Sequence, residues 1–384
     1  MMPPFAAHRL RFSLQATQPL ELPKTRGSAL RGALFESLWR RHCERKSAPT
    51  CTACPIAATC PVGLLIATLE PYTGNRAGLQ PMPESGSHGG TSTCHMAAES
   101  PSSSTHAASR ADRQGPSTGT LAHHPQTPET GHQLPRPYAI EPPLSVSGHY
   151  AAGQRLTFGL TLFAGVRDLV PYLIDAVQQW RTIGIGHRQP VLNEQRSRVQ
   201  LLRAVAFNPF TDQRQVLWSP TERSRCSEAV PITPEQVAAT ARHWPLDEPS
   251  AVQLTFHTPT RLIARGRLVR SPQPRVLIAR LLQRLDALGQ AFSDGLPLPD
   301  TKLLLCHADA LTLRADETRW VDQWSPSRRL RRTSPIGGFV GRAILEGDRG
   351  AMRALLPWLL WGSIVHVGKD TVKGNGWYQV GAPD

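Results

Sequence analysis

The sequence predicts an α+β protein built from two tandem ferredoxin-like (RRM-like) domains, each running strand–helix–strand–strand–helix–strand. Three observations carry this. The chain is 384 residues long, more than one ordinary core accommodates. Segments of period-two alternation and of helical periodicity recur in the same order in each half. A tract over 73–136 interrupts the first half with a composition unlike anything around it.

The first half opens with "HRLRFSLQATQPLEL" (8–22), whose apolar residues alternate as in a half-buried strand. "GSALRGALFESLWRRHC" (27–43) follows as an amphipathic helix with Leu30, Leu34 and Leu38 on one stripe. The tract after it, rich in Ser, Thr, Gly, Ala, Pro and His, lacks the large apolar residues that would offset the entropy of ordering. It is expected to be a disordered insertion. "QRLTFGLTLFA" (154–164) reads as a strand, "VRDLVPYLIDAVQQW" (166–180) as a helix, and "RVQLLRAVAF" (198–207) as a strand beyond the glycine turn "GIG". In the second half, 251–269 reads as a strand and its continuation, 275–292 as a helix and 310–325 with 334–347 as a strand pair. The helix 350–362, a glycine-rich loop and the short strand "WYQV" close the series. The expected limits are 1–72 with 137–218 for the first domain, 219–250 for a linker and 251–384 for the second domain.

Net charge is +14, and only five of the 43 basic residues are Lys. Arginine is suited to bidentate phosphate contacts and to stacking on bases, so the surplus points to a nucleic-acid partner. The start of the chain shows no targeting signal. The longest apolar stretch, "ALLPWLLWGSIVHV", is broken by Pro357 and falls short of the roughly 18 residues of a membrane span, so a cytoplasmic protein without a membrane partner is expected.

Four cysteines, Cys43, Cys51, Cys54 and Cys60, form a C-x7-C-x2-C-x5-C cluster. Four thiolates so close in sequence can close a tetrahedral site, and one structural zinc is the expected occupant. An iron–sulfur cluster and free thiols are the alternatives. Four cysteine ligands leave no open position, so no metal is assigned to catalysis.

The segment "HVGKDTVKGNGWYQV" (366–380) carries Gly368, Gly374 and Gly376 beside Lys369 and Lys373. A phosphate-binding P-loop needs Gly five residues before "GK" and Ser or Thr after it. Ser363 and Asp370 stand there instead, so a P-loop NTP site is not expected. Backbone N–H groups and two lysines make a phosphate cradle for RNA. A plain turn using the glycines' freedom at positive φ is the competing reading. Arg188, after "GIGH", and Arg328, Arg329, Arg331 and Arg332 in "SPSRRLRRTSP" are further RNA-binding candidates.

"GGFVG", "HVGKDTVKGNGWY", "FHTPTRLIARGRLV" and "LLQRLDAL" together resemble the C-terminal region of the CRISPR-associated endoribonucleases of the RAMP superfamily that process precursor CRISPR RNA. "RGSALRGALFESL" and the cysteine cluster after it resemble some members. The resemblance implies tandem ferredoxin-like domains, CRISPR repeat RNA as partner, other CRISPR effector subunits as further partners, and metal-independent cleavage within repeats to a 2′,3′-cyclic phosphate and a 5′-hydroxyl. A RAMP subunit that binds guide RNA without cutting it is the alternative.

Such a cleavage needs a base for the 2′-hydroxyl, an acid for the leaving 5′-oxygen and cations around the phosphorane. Histidine serves as base or acid near neutral pH. In the resembled family the base commonly lies on or just after the first helix of the first domain, which implies His42, preceded here by Arg40 and Arg41. His366, beside the glycine loop, and His187, beside Arg188, are the second and third candidates.

Overall fold

The computed structural model describes residues 4–49, 51, 53–56, 60–66, 135–145, 147–163, 167–221, 230–327 and 332–383. The expected disordered insertion lies outside them, apart from its last two residues.

In the first domain, strand β1 (Ala7–Ala16) leads into helix α1 (Arg26–His42). Strands β2 (Tyr138–Glu141) and β3 (Arg155–Phe163), helix α2 (Val170–Gln178) and strands β4 (Val199–Phe207) and β5 (Arg214–Trp218) follow. The sheet runs β2–β3–β1–β4–β5 with every neighbour antiparallel. Without β5 this is the ferredoxin-like order, second strand–third–first–fourth. The alternation of β1 places Leu10, Phe12 and Leu14 in the core, against Leu30, Leu34 and Leu38 of α1 and Leu173, Ala176 and Val177 of α2. β2 had no place among the sequence-derived elements. Four residues directly after a polar tract are too few to show a period.

The stretch expected as a linker, 219–250, carries helix α3 (Pro234–His243), entered through a capping box in which Thr233 and Gln236 satisfy each other's backbone N–H groups. Val237 and Ala241 of α3 are buried in the second domain's core, so this part of the stretch is folded structure and not a tether.

The second domain is built from β6 (Ser250–Thr260), α4 (Pro274–Phe292), α5 (Thr301–Asp309), β7 (Thr312–Val321), β8 (Gly338–Gly347), α6 (Arg349–Val365) and β9 (Tyr378–Gly381). Its sheet order, β7–β8–β6–β9, repeats the ferredoxin-like permutation. Helix α6 continues through Pro357 and buries Met352, Leu355, Leu356 and Leu359 against the core. Proline inside a helix removes one backbone bond and pushes on the preceding turn, a penalty that so much apolar burial offsets here.

The two domains share apolar surface. Phe5, Ala7 and Phe163 of the first domain belong to the second domain's core cluster, with Phe5 edge-on to Trp361 at 5.1 Å between ring centroids. Beside this seam Arg9 makes a buried bidentate pair with Glu141, at 2.6 and 2.9 Å.

Candidate active site

α1 ends on a basic turn, Arg40, Arg41 and His42, where positive charge complements the helix dipole. Arg40 pairs with Glu36 at 2.6 Å, as does Arg196 of the hairpin 185–197. Arg41 Nε lies 3.5 Å from Asp175 Oδ2 and is well exposed. His42 Nε2 lies 2.9 Å from that same oxygen, with the side chain 20% exposed. Tyr172, one turn before Asp175 on α2, meets the imidazole edge-on at 4.9 Å. The His42 side chain is therefore partly open to solvent, flanked by the exposed Arg41 guanidinium and backed by the carboxylate that both approach. Asp175 carried no sequence motif; only the packing of α2 against the end of α1 brings it there.

His366 differs. It caps α6 at φ 62 and ψ 169, is fully buried, and has neither ring nitrogen hydrogen-bonded among the described residues. Its ring stacks on Trp377 at 6.2 Å. Burial, with the Arg284 and Arg9 charges behind it, holds its imidazole well below the ordinary value. No RNA atom can reach it, so the expectation of a catalytic role for His366 is corrected. The neighbouring sequence "SIVHV" is a helix end turned into the core. His187 stands exposed on the strand Ile185–Gln189, next to Arg188, whose guanidinium donates to the carbonyl of Glu194 at 3.0 Å.

The glycine loop leaves α6 and enters β9 as expected, yet its glycines face protein. A Cβ at Gly376 would collide with the carbonyl oxygen of Val367, and one at Gly368 with that of Arg261. Gly374 lies against Pro142 and Ile140. The N–H groups of Val367, Lys369, Lys373, Gly374, Asn375 and Gly376 all donate to main-chain carbonyls, and that of Trp377 to Thr258 Oγ1. A backbone phosphate cradle is not what these groups form. Lys369 remains exposed, while Lys373 Nζ pairs with Asp370 at 2.8 Å.

The loop is also a joint. Gly27, in the first turn of α1, approaches the Lys373 carbonyl so closely that no side chain fits between them. Ser28 Oγ lies 3.5 Å from Ser325 Oγ, at the base of the hairpin formed by Trp324–Ser327 and Arg332–Pro335. Asn375 Nδ2 donates to the carbonyl of Ile336 at 2.6 Å. Arg328, Arg329 and Arg331 lie outside the described residues, and Arg332 pairs through its backbone with Ser327. Loop, hairpin and the start of α1 thus meet at one end of the helix and His42 at the other. From Gly27 to His42 the rise of 1.5 Å per residue gives roughly 22 Å. Trp377 is buried, Trp320 lies under Arg261 and Arg270, and Trp324 is 58% exposed.

Two further clusters complete the surface. Cys43, Cys51, Cys54 and Cys60 line one cavity with Phe35 and Trp39 of α1. Burial first, then the three neighbouring thiols, pushes the Cys51 thiol up. The donors fit a thiophilic metal in kind and converge on one space, although no ligating geometry exists among the described residues. On the sheet face turned away from α1, Arg11, Arg203 and Arg214 surround Phe207 in a groove whose lining includes no acidic residue. The guanidinium of Arg11 lies 4.3 Å from the Phe207 centroid and is pushed down by burial and by its neighbour Arg9. The alternation "RLRF" hinted at this face, but three strands had to align before three arginines met. Among the described residues no helix is long and apolar enough to cross a membrane.

Residues 254–378 match the family model of the CRISPR-associated endoribonuclease Cas6. A second model, described as an N-terminal domain, matches 5–84 and 116–230. No curated protein matches the chain. A solved partial Cas6-RT-Cas1–Cas2 complex is similar over 99% of this chain and 47% of its own, with a TM-score of 0.56 at 13% identity. A Cas6-RT-Cas1–Cas2 complex is similar with the same score and identity, over 29% of its chain. This chain therefore spans less than half the length of those two. Thermus thermophilus Cas6 aligns over 98% of each chain at 15% identity, with a TM-score of 0.48. The Cas6 model match falls on the second domain with its glycine loop, and the two complexes with a TM-score of 0.56 share the chain's fold.

Proposed function

We propose that this protein cleaves precursor CRISPR RNA within its repeats by attack of a ribose 2′-hydroxyl, without a catalytic metal, leaving a 2′,3′-cyclic phosphate and a 5′-hydroxyl. The family match over 254–378 carries the reading. His42 takes the proton of the 2′-hydroxyl, and Arg41 beside it steadies the charge that grows on the phosphorane. Repeat RNA is gripped at the far end of α1 by Lys369, with exposed Trp324 stacking on a base. It then runs along the helix to His42. The arginine groove around Phe207 offers a second run of phosphate contacts. Structural zinc, held by Cys43, Cys51, Cys54 and Cys60, would tie down the loop after α1 and thereby the position of His42. Association with other CRISPR effector subunits is part of this reading.

A labelled repeat RNA, incubated with the protein in EDTA and mapped at both ends, tests it. Cleavage is expected with cyclic-phosphate and 5′-hydroxyl termini. His42→Ala should slow it by roughly 10²–10⁴ with affinity nearly unchanged, the range for a lost proton-transfer group. RNA that binds but stays intact would make this a guide-binding subunit instead. Metal analysis of purified protein should find about one zinc per chain; folded, cleaving protein with none would refute the zinc assignment.

A further inference from the structure

Tyr172 and Asp175 lie three residues apart on α2 and share the face turned toward the end of α1. Both His42 Nε2 and Asp175 Oδ2 are buried, and neither has an aligned hydrogen-bond partner among the described residues. They lie 2.9 Å from each other, and Arg41 Nε, 3.5 Å from the same oxygen, is the other cation at that carboxylate. An ionised carboxylate only accepts hydrogen bonds, and a neutral imidazole carries one N–H. The tautomer that satisfies both buried atoms bears its proton on Nε2, which leaves the lone pair on Nδ1.

We propose that Asp175 is a positioning residue for the cleavage reaction: it holds the His42 ring in orientation and in the tautomer that presents Nδ1 to the 2′-hydroxyl. The proposal rests on His42 being the base. In the step itself the 2′-oxygen bonds to phosphorus as its proton passes to Nδ1. The bond from phosphorus to the 5′-oxygen breaks and that oxygen takes a proton from a solvent water; the hydroxide left behind recovers the proton from His42, so protons and charge balance over the turnover. The contact now has ion-pair distance without hydrogen-bond alignment. Such contacts tighten when substrate arrives. Tyr172, edge-on to the ring, limits its rotation. A mere strut between α1 and α2 would use the same contacts, so the test must separate position from stability.

Single-turnover cleavage and RNA affinity are measured for Asp175→Ala, Asp175→Asn, Asp175→Glu, His42→Ala and the double variant His42→Ala/Asp175→Ala, with melting temperature as a folding check. Asp175→Ala should slow cleavage roughly 10- to 100-fold, within the range of a supporting group for a base. Asp175→Asn keeps the shape, but its amide can donate to Nε2 and hold the opposite tautomer, so it should be slower still, toward the roughly 10⁴-fold of such a swap in serine proteases. Asp175→Glu should recover most of the rate. RNA affinity should stay within about twofold, since no phosphate contact is removed. In the His42→Ala background, loss of Asp175 should change nothing further, because residues that act as a unit are non-additive. Equal losses in both backgrounds, or wild-type cleavage by Asp175→Asn, would overturn the proposal. Wild-type cleavage by His42→Ala would instead overturn the reading of His42 as base, a separate result.

Discussion

At the residue scale, His366 shows what position does to chemistry. Its imidazole is buried beside Arg284, which is itself buried, pushed down to about 9, and bonded through Nε to the carbonyl of Val365 at 2.7 Å. Arg9, held by Glu141, is the other cation facing it. The folded protein keeps this ring neutral well below the pH at which the unfolded chain protonates it. The unfolded state thus binds the extra proton as pH falls, and stability declines with it. The decline begins below the ordinary histidine value near 6.5 and continues to the lower folded value, at up to about 1.4 kcal/mol per pH unit. Urea melts between pH 7.5 and 5 should show this fall, and His366→Gln should flatten part of it. An unchanged slope in that variant would assign the acid sensitivity to other groups. The same letter, histidine, thus means a partly exposed ring at 42 and a packing residue at 366, and the sequence distinguished them only through position on the helix.

At the scale of elements, the glycine loop acts as a joint with one cation left to offer. Six of its N–H groups donate to main-chain carbonyls, those of Pro259 and Arg261 among them, and its glycines admit Arg261, Val367, Ile140 and Pro142. The cation it leaves exposed is Lys369. Lys373 is already neutralised by Asp370. Lys369→Ala should therefore weaken repeat-RNA binding and reduce the salt slope by about one counterion, while Lys373→Ala should change it less. Anisotropy titrations from 50 to 300 mM salt separate the two, and equal slopes for both variants would show that Asp370 releases Lys373 to the RNA. The motif was legible as a loop between helix and strand. That its glycines serve close packing was not, because the carbonyls of Arg261 and Ile140 that they admit belong to distant parts of the chain.

At the scale of the whole molecule, two sheets of the same permutation are joined along an apolar seam, with the Arg9–Glu141 pair beside it. A buried pair contributes little over an apolar equivalent, but breaking it strands a charge. Glu141→Ala should cost roughly 3–5 kcal/mol in denaturant melts, because Arg9 then stays buried without its partner. A loss near zero would mean that water reaches the guanidinium.

The sequence by itself determined the class of this fold and most of its elements. Alternation in "HRLRFSL" and the Leu30–Leu34–Leu38 stripe are local periods, set by how one strand or one helix meets one core. It also brought out the charge surplus, the cysteine spacing and the histidine at the end of α1. Only the tertiary structure decided which candidates share a site. It buried His366, tied six N–H groups of the glycine loop to main-chain carbonyls, set Asp175 against His42 and placed the strands Trp324–Ser327 and Arg332–Pro335 at the opposite end of α1. Those outcomes depend on contacts between residues far apart in the chain, and such contacts leave no period in a single sequence.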